Sequence, residues 1–167
     1  MRSQHGDHTP ARTPDQCFGR GRTEAAGAKS LHHHPGGCRR PPAEPQYHGG
    51  VDRAVCLYSL EVIEALQAEG HGVAPGSCGE NLTLAGLDWA QLKPGDRLRI
   101  GPDVRLKVTN YTVPCSQQTQ WFKDGNFTRI SQKKHPGWSR LYARVLAEGL
   151  VRPGDTVAVE EGNGAGA

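Results

Sequence analysis

A chain of 167 residues has room for one ordinary domain and a tail, and too little chain for two sizeable cores. The formal net charge of +3 is carried by residues 1–47, which hold seven Lys or Arg against four acids, while residues 48–167 balance 13 bases with 13 acids. A balanced domain has no bulk basic field for non-specific nucleic-acid binding, although a local anion pocket remains compatible with it.

No apolar run approaches the roughly 18 to 20 residues of a membrane span, and the N-terminus has no apolar stretch of the secretory type. The expectation is a cytoplasmic protein with no membrane partner. Five cysteines (Cys17, Cys38, Cys56, Cys78, Cys115) with no C-x-x-C argue against a disulfide framework and a zinc site. Free thiols in a reducing compartment fit that count. Without a secretion signal, the Asn81, Asn110 and Asn126 sequons read as chance occurrences.

In chain order, residues 1–46 contain no Val or Ile and a single Leu, Leu31. Such a stretch cannot bury enough apolar surface to offset its ordering entropy, so residues 1–47 are expected to be disordered or atypical. The run His32-His33-His34 near Cys38 reads as a solvated tail, with metal capture as the alternative.

Composition changes at His48. Arg53-Ala-Val-Cys-Leu-Tyr58 is an apolar run expected to be a buried strand, with Cys56 as a small buried hydrophobe. Ser59 then caps a predicted helix through Glu69, with Leu60, Ile63 and Leu66 on one face and Gly70 as the stop. Residues 71–80 read as loop and Asn81–Leu84 as a short strand. Leu92-Lys-Pro-Gly-Asp-Arg-Leu-Arg-Ile100 is echoed by Val151-Arg-Pro-Gly-Asp-Thr-Val-Ala-Val159. In each, Pro-Gly predicts a type II turn followed by an alternating strand, as in hairpins of one barrel-like sheet.

Val104, Leu106 and Val108 alternate with charged residues, and the pattern shifts near Asn110 before Pro114-Cys115. Pro114 lacks an N–H and ends ladder pairing, which puts Cys115 just past a strand end. Leu141–Leu146 is the last long strand before the second Pro-Gly turn.

Three segments carry candidate chemistry. Cys115 reads either as a nucleophile or metal ligand, its thiol activated where Arg129, Lys133 or Arg140 lies near it, or as an inert half-buried thiol. Gly76-Ser-Cys-Gly-Glu-Asn-Leu-Thr83 offers glycines for close approach and Glu80, Asn81 and Thr83 as polar partners; a plain connecting loop is the alternative. His48-Gly-Gly-Val-Asp-Arg53 ends in an arginine suited to an anion. Glu80 reads as a proton donor or, more simply, a loop-bonding carboxylate, and His135 as a surface loop residue.

The ordered set His48-Gly-Gly-x-Asp-Arg-Ala-Val-Cys-Leu-Tyr-Ser59, Gly-Ser-x-Gly-Glu-Asn-Leu-Thr83, Pro-Gly-Asp-Arg-Leu-Arg-Ile-Gly101, Val-Pro-Cys115 and Pro-Gly-Trp-Ser-Arg140 resembles the MOSC domain. That family takes its name from the C-terminal domain of molybdenum-cofactor sulfurase, and the resemblance is to its small stand-alone bacterial, YiiM-like branch. It implies a mainly β, barrel-like domain over residues 48–161 with a few short helices, an aberrant segment before it and a flexible tail at 162–167.

The resemblance further implies a molybdenum–pterin cofactor with Cys115 as thiolate ligand, and Arg53, Asn81, Thr83 and Arg140 as cofactor-binding residues. A soft thiolate suits such a metal. The implied activity is two-electron reduction of N-hydroxylated compounds such as hydroxylamine-type base analogues, fed by an external flavin or iron–sulfur donor. A sulfur- or cofactor-carrier role and a degenerate domain without cofactor are the alternatives. Residues 1–46 depart from the family pattern, which begins with strands. Either their start is misassigned or the sheet lacks strands and exposes an edge.

Overall fold

The computed structural model describes the backbone of strands Arg20–Thr23 and Lys29–Leu31 and all of residues 50–160. The expected flexible tail at 162–167, Cys17, and the His32–His34 run with Cys38 lie outside the described residues. So does most of the segment expected to be disordered.

Among the described residues there are nine strands: β1 (Arg20–Thr23), β2 (Lys29–Leu31), β3 (Val55–Ser59), β4 (Leu82–Ala85), β5 (Arg97–Ile100), β6 (Val104–Tyr111), β7 (Leu141–Ala147), β8 (Gly149–Val151) and β9 (Thr156–Glu160). Seven of them close a barrel in the order β1-β4-β3-β7-β6-β5-β9, with β1 also pairing β9, and β2 pairs β8 separately. The mainly β, barrel-shaped expectation holds.

The strandless reading of residues 1–46 is corrected at two places. Arg22 and Thr23 pair with Ala85 and Leu84, while Arg20, Gly21 and Arg22 pair with Ala158, Val157 and Thr156. Backbone pairing needs no apolar side chain, so composition could not mark β1. The edge that a missing strand would have exposed is therefore covered on both sides.

Strand β3 holds five buried residues in a row, as a central strand covered on both faces should. Its neighbour β4 is parallel to it, which requires a crossover, and helix α1 (Leu60–Ala68) supplies part of the connection. Ser59 Oγ accepts from Val62 N at 3.3 Å, Ile63 and Leu66 are buried, and the chain leaves the helix through Gly70 at φ 89°. That cap, face and stop match the sequence reading. Arg53 is not in the strand; it ends a 3-10 turn over Val51–Arg53.

The two Pro-Gly turns are built alike. Asp96 Oδ2 accepts from Lys93 N at 2.9 Å and Asp155 Oδ2 from Arg152 N at 2.7 Å, with Gly95 and Gly154 at φ 105° and 88°. Each turn feeds a barrel strand, and β5 and β9 lie side by side. Along β6, Val104, Leu106 and Val108 are fully buried, and a register shift follows between Val108 and Asn110. The sequence break near Asn110 is thus a bulge in the β6–β7 ladder. Among the described residues no helix is long and apolar enough to cross a membrane.

Candidate functional site

The chain leaves β6 at Tyr111 and reaches Cys115 at the head of a 3-10 helix, Ser116–Trp121. The thiol is half-buried, just past a strand end as expected. Gln118 locks this turn: its Oε1 accepts from Cys115 N at 3.1 Å, and its own N donates to Cys115 O at 2.9 Å. Gln118 is 5% exposed, and its Nε2 reaches across to donate to Cys78 O at 2.9 Å.

Cys78 O takes a second donor, Arg140 Nη1 at 2.5 Å. Arg140 stands just before β7, and its position is set by continued pairing of the strand ends: Thr112 N donates to Arg140 O at 2.9 Å, and Ser139 Oγ donates to Thr112 O at 3.0 Å. Trp89 Nε1 donates to Ser139 O at 2.9 Å, and Tyr58 Oη donates to Trp138 O at 3.2 Å. Arg140 is only 6% exposed, and its Nε has no partner. No carboxylate lies within ion-pairing distance of it among the described residues. A buried guanidinium with an open donor is costly, and an incoming anion or polar group would relieve that cost.

Asn81 sits where β4 begins beside β3. Its Oδ1 accepts from Cys56 N at 2.7 Å, and its N donates to Cys56 O at 2.7 Å. Thr83 is buried in β4 and donates through Oγ1 to Glu80 Oε1 at 3.3 Å. That oxygen also accepts from Gly76 N at 2.6 Å, so the loop-bonding reading of Glu80 describes its Oε1. Its buried Oε2 has no partner. Arg53 is exposed and lies over the Tyr142 ring, 5.6 Å from its centroid.

Tyr142 was not singled out by sequence, yet it joins these parts. Burial raises its phenol pKa first; the charges of Cys56 and Cys115 raise it further, while Arg140 and Arg53 lower it. Arg53 lies over Tyr142, Arg140 is bonded to the Cys78 carbonyl that also receives the Cys115 turn, and Asn81 and Thr83 are bonded to Cys56 and Glu80. Its position in an alternating strand gave no signal for Tyr142. Gln118 also went unnoticed, although its place three residues after a strand-end Cys is a capping-box spacing.

Cys56 and Cys78 are buried. Burial is the main cause raising both thiols to about 11; Arg140 opposes that shift and Glu80 adds to it. Arg129, a candidate neighbour of the Cys115 thiol, makes a bidentate pair with Glu69 and stacks 3.6 Å from the Trp138 centroid. His135 is a half-buried loop residue.

Among the described residues, no group of three His, Cys, Asp or Glu could hold a bare metal ion. A metal here would have to arrive with most of its own ligands. A half-exposed thiol whose turn shares the Cys78 carbonyl with a buried guanidinium with an open Nε fits a metal carried on an anionic organic ligand.

The chain is 33% identical over 108 residues to the uncharacterized protein YflK of Bacillus subtilis (strain 168), which covers 64% of this chain and 48% of that protein. It is 30% identical over 119 residues to a protein named reductase of Gibberella moniliformis (strain M3125 / FGSC 7600), covering 68% of this chain and 21% of the other. The crystal structure of YiiM from Geobacillus stearothermophilus superposes with a TM-score of 0.56 at 34% identity, over 70% of this chain and 59% of that one. The chain thus spans about half the length of YflK and a fifth of the reductase. The MOSC domain family matches residues 44–158, more than half of the sequence, and the chain belongs to that family.

Proposed function

We propose that this domain holds a molybdenum–pterin cofactor through Cys115 and takes part in two-electron reduction of N-hydroxylated compounds. The observation that carries the reading is that the turn of a half-exposed Cys115 and a buried Arg140 whose Nε is open are bonded to one carbonyl, that of Cys78. Family membership and the reductase relative support an oxidoreductase role tied to the molybdenum cofactor.

When bound, the cofactor would supply the oxo-transfer chemistry at its metal. Cys115 would hold the metal as thiolate. Arg140 and Arg53, the latter lying over Tyr142, would bind the anionic part of the cofactor. Asn81 and Thr83 would border the cofactor while keeping their bonds to Cys56 and Glu80. Gln118 would keep the Cys115 turn in place during turnover.

Reduction of an N–OH group to N–H consumes two electrons and two protons and releases water. The electrons would come from an external flavin or iron–sulfur protein. The Tyr142 phenol, kept protonated by burial, is a proton-bearing group at the same end of the barrel.

Molybdenum and pterin are to be quantified after native purification of wild type and Cys115→Ala. The reading expects near-stoichiometric metal in wild type and about a hundredfold less in the variant, the upper range for loss of a metal-site group. Equal molybdenum in both would remove Cys115 from its role. A persulfide on Cys115 without metal would replace the enzyme by a sulfur carrier.

A further inference from the structure

We infer that Gln118 is the positioning residue for Cys115, tethering the cysteine turn to the carbonyl that also receives Arg140. Three hydrogen bonds carry the inference. Gln118 Oε1 accepts from Cys115 N at 3.1 Å, Gln118 N donates to Cys115 O at 2.9 Å, and Gln118 Nε2 donates to Cys78 O at 2.9 Å. The first two close a ring on the turn; the third crosses 40 residues of sequence.

The receiving atom matters most. Cys78 O has two lone pairs, and Gln118 Nε2 and Arg140 Nη1 use one each. The 3-10 helix and the approach to β7 are therefore referenced to a single backbone oxygen, and the distance between Cys115 and Arg140 follows from it. A planar carboxamide suits this task, since one end accepts and the other donates in fixed orientation. The neighbours Ser116, Gln117, Thr119 and Gln120 are exposed, so Gln118 alone on this turn is built inward. Buried side-chain hydrogen bonds of this kind, made in a low-dielectric interior, favour one arrangement of the elements they join.

The bearing on catalysis rests on the Cys115 reading above, but the tether can be tested without cofactor. In the full-length protein, alkylation of Cys115 by N-ethylmaleimide is followed peptide by peptide by mass spectrometry, which separates it from the four other cysteines. Gln118→Met keeps the volume and removes the two side-chain bonds, leaving the backbone bond to Cys115 O. It is expected to raise the Cys115 labelling rate at least about fivefold, the equivalent of one hydrogen bond, with Cys56 and Cys78 still protected. Val145→Ala, a core cavity in β7 with no bond to the turn, should leave the Cys115 rate within about twofold of wild type.

Unchanged labelling in folded Gln118→Met, or an equal rise in Val145→Ala, overturns the proposal. If Gln118→Met does not fold, Gln118→Glu, which loses the donor to Cys78 O, is read in the same way. Hydrogen exchange on wild type needs no variant: a Cys115 amide exchanging at its unprotected rate also overturns the tether. A positive labelling result beside equal molybdenum in wild type and Cys115→Ala would leave the tether standing and remove the cofactor assignment.

Discussion

Along the wall of β5, β6 and β9, side chains alternate between a dry interior and charged outer positions. Leu98, Ile100, Val104, Leu106, Val108 and Val157 point in and are essentially fully buried, while Arg97, Arg99 and Lys107 face out. At the barrel end around Cys78, the buried set includes Glu80, Thr112, Gln118, Ser139 and Arg140. Three of their polar atoms, Glu80 Oε2, Thr112 Oγ1 and Arg140 Nε, have no partner. The wall is stabilised by apolar burial and tolerates little loss of volume. The Cys78 end carries polar groups that cost stability in the free protein and suit a bound polar group. Stability and function are therefore expected to separate between the two regions.

The largest expected effect is on the wall. Leu106→Ala removes a fully buried side chain, and unfolding in urea should show a loss of about 2 to 5 kcal/mol. A loss under about 1 kcal/mol would mean that the wall relaxes around cavities and the contrast fails.

A pH effect comes next, and it belongs to the other region. Folded Cys56 and Cys78 hold their protons up to about pH 11, whereas unfolded thiols ionise near 9.0. The unfolded state therefore loses protons first, and stability present below pH 9 falls as pH rises toward 11. The loss is on the order of 2 kcal/mol per thiol, and it is reduced if the folded protein opens locally. The slope of stability against pH between 9 and 11 should flatten in Cys56→Ala/Cys78→Ala; an unchanged slope would move its origin to other groups.

Arg140→Met should change stability by less than about 1 kcal/mol, because the lost bond to Cys78 O is offset by removing an unpaired buried charge. Molybdenum and pterin content should nevertheless fall at least about tenfold, as for loss of a group supporting a metal site. A stability loss as large as that of Leu106→Ala would make Arg140 a structural residue and erase the contrast. The smallest effect is again on the barrel's outer face. Arg144→Ala breaks an exposed 2.5 Å ion pair with Asp52 and should cost no more than about 1 kcal/mol, less in high salt.

Much of the frame was determined by local sequence. Ser59, the Ile63–Leu66 face and Gly70 delimit α1 because capping, periodicity and positive φ are properties of a few adjacent residues. The Pro-Gly-Asp turns and the alternation through Val108 are local in the same sense, as is the placement of Cys115 beyond a strand ended before Pro114. Ordered motifs identified the family. Tertiary structure alone decided what surrounds Cys115. Strand β1 is held by backbone bonds to β4 and β9, so its composition gave no sign of it. Gln118, Arg140 and Tyr142 come from separate segments, and their roles follow from shared partners: the carbonyl of Cys78 for the first two, the charges around a half-buried phenol for the third. Hydrogen bonds and fields between distant segments depend on ångström-scale placement, which spacing along a chain does not encode.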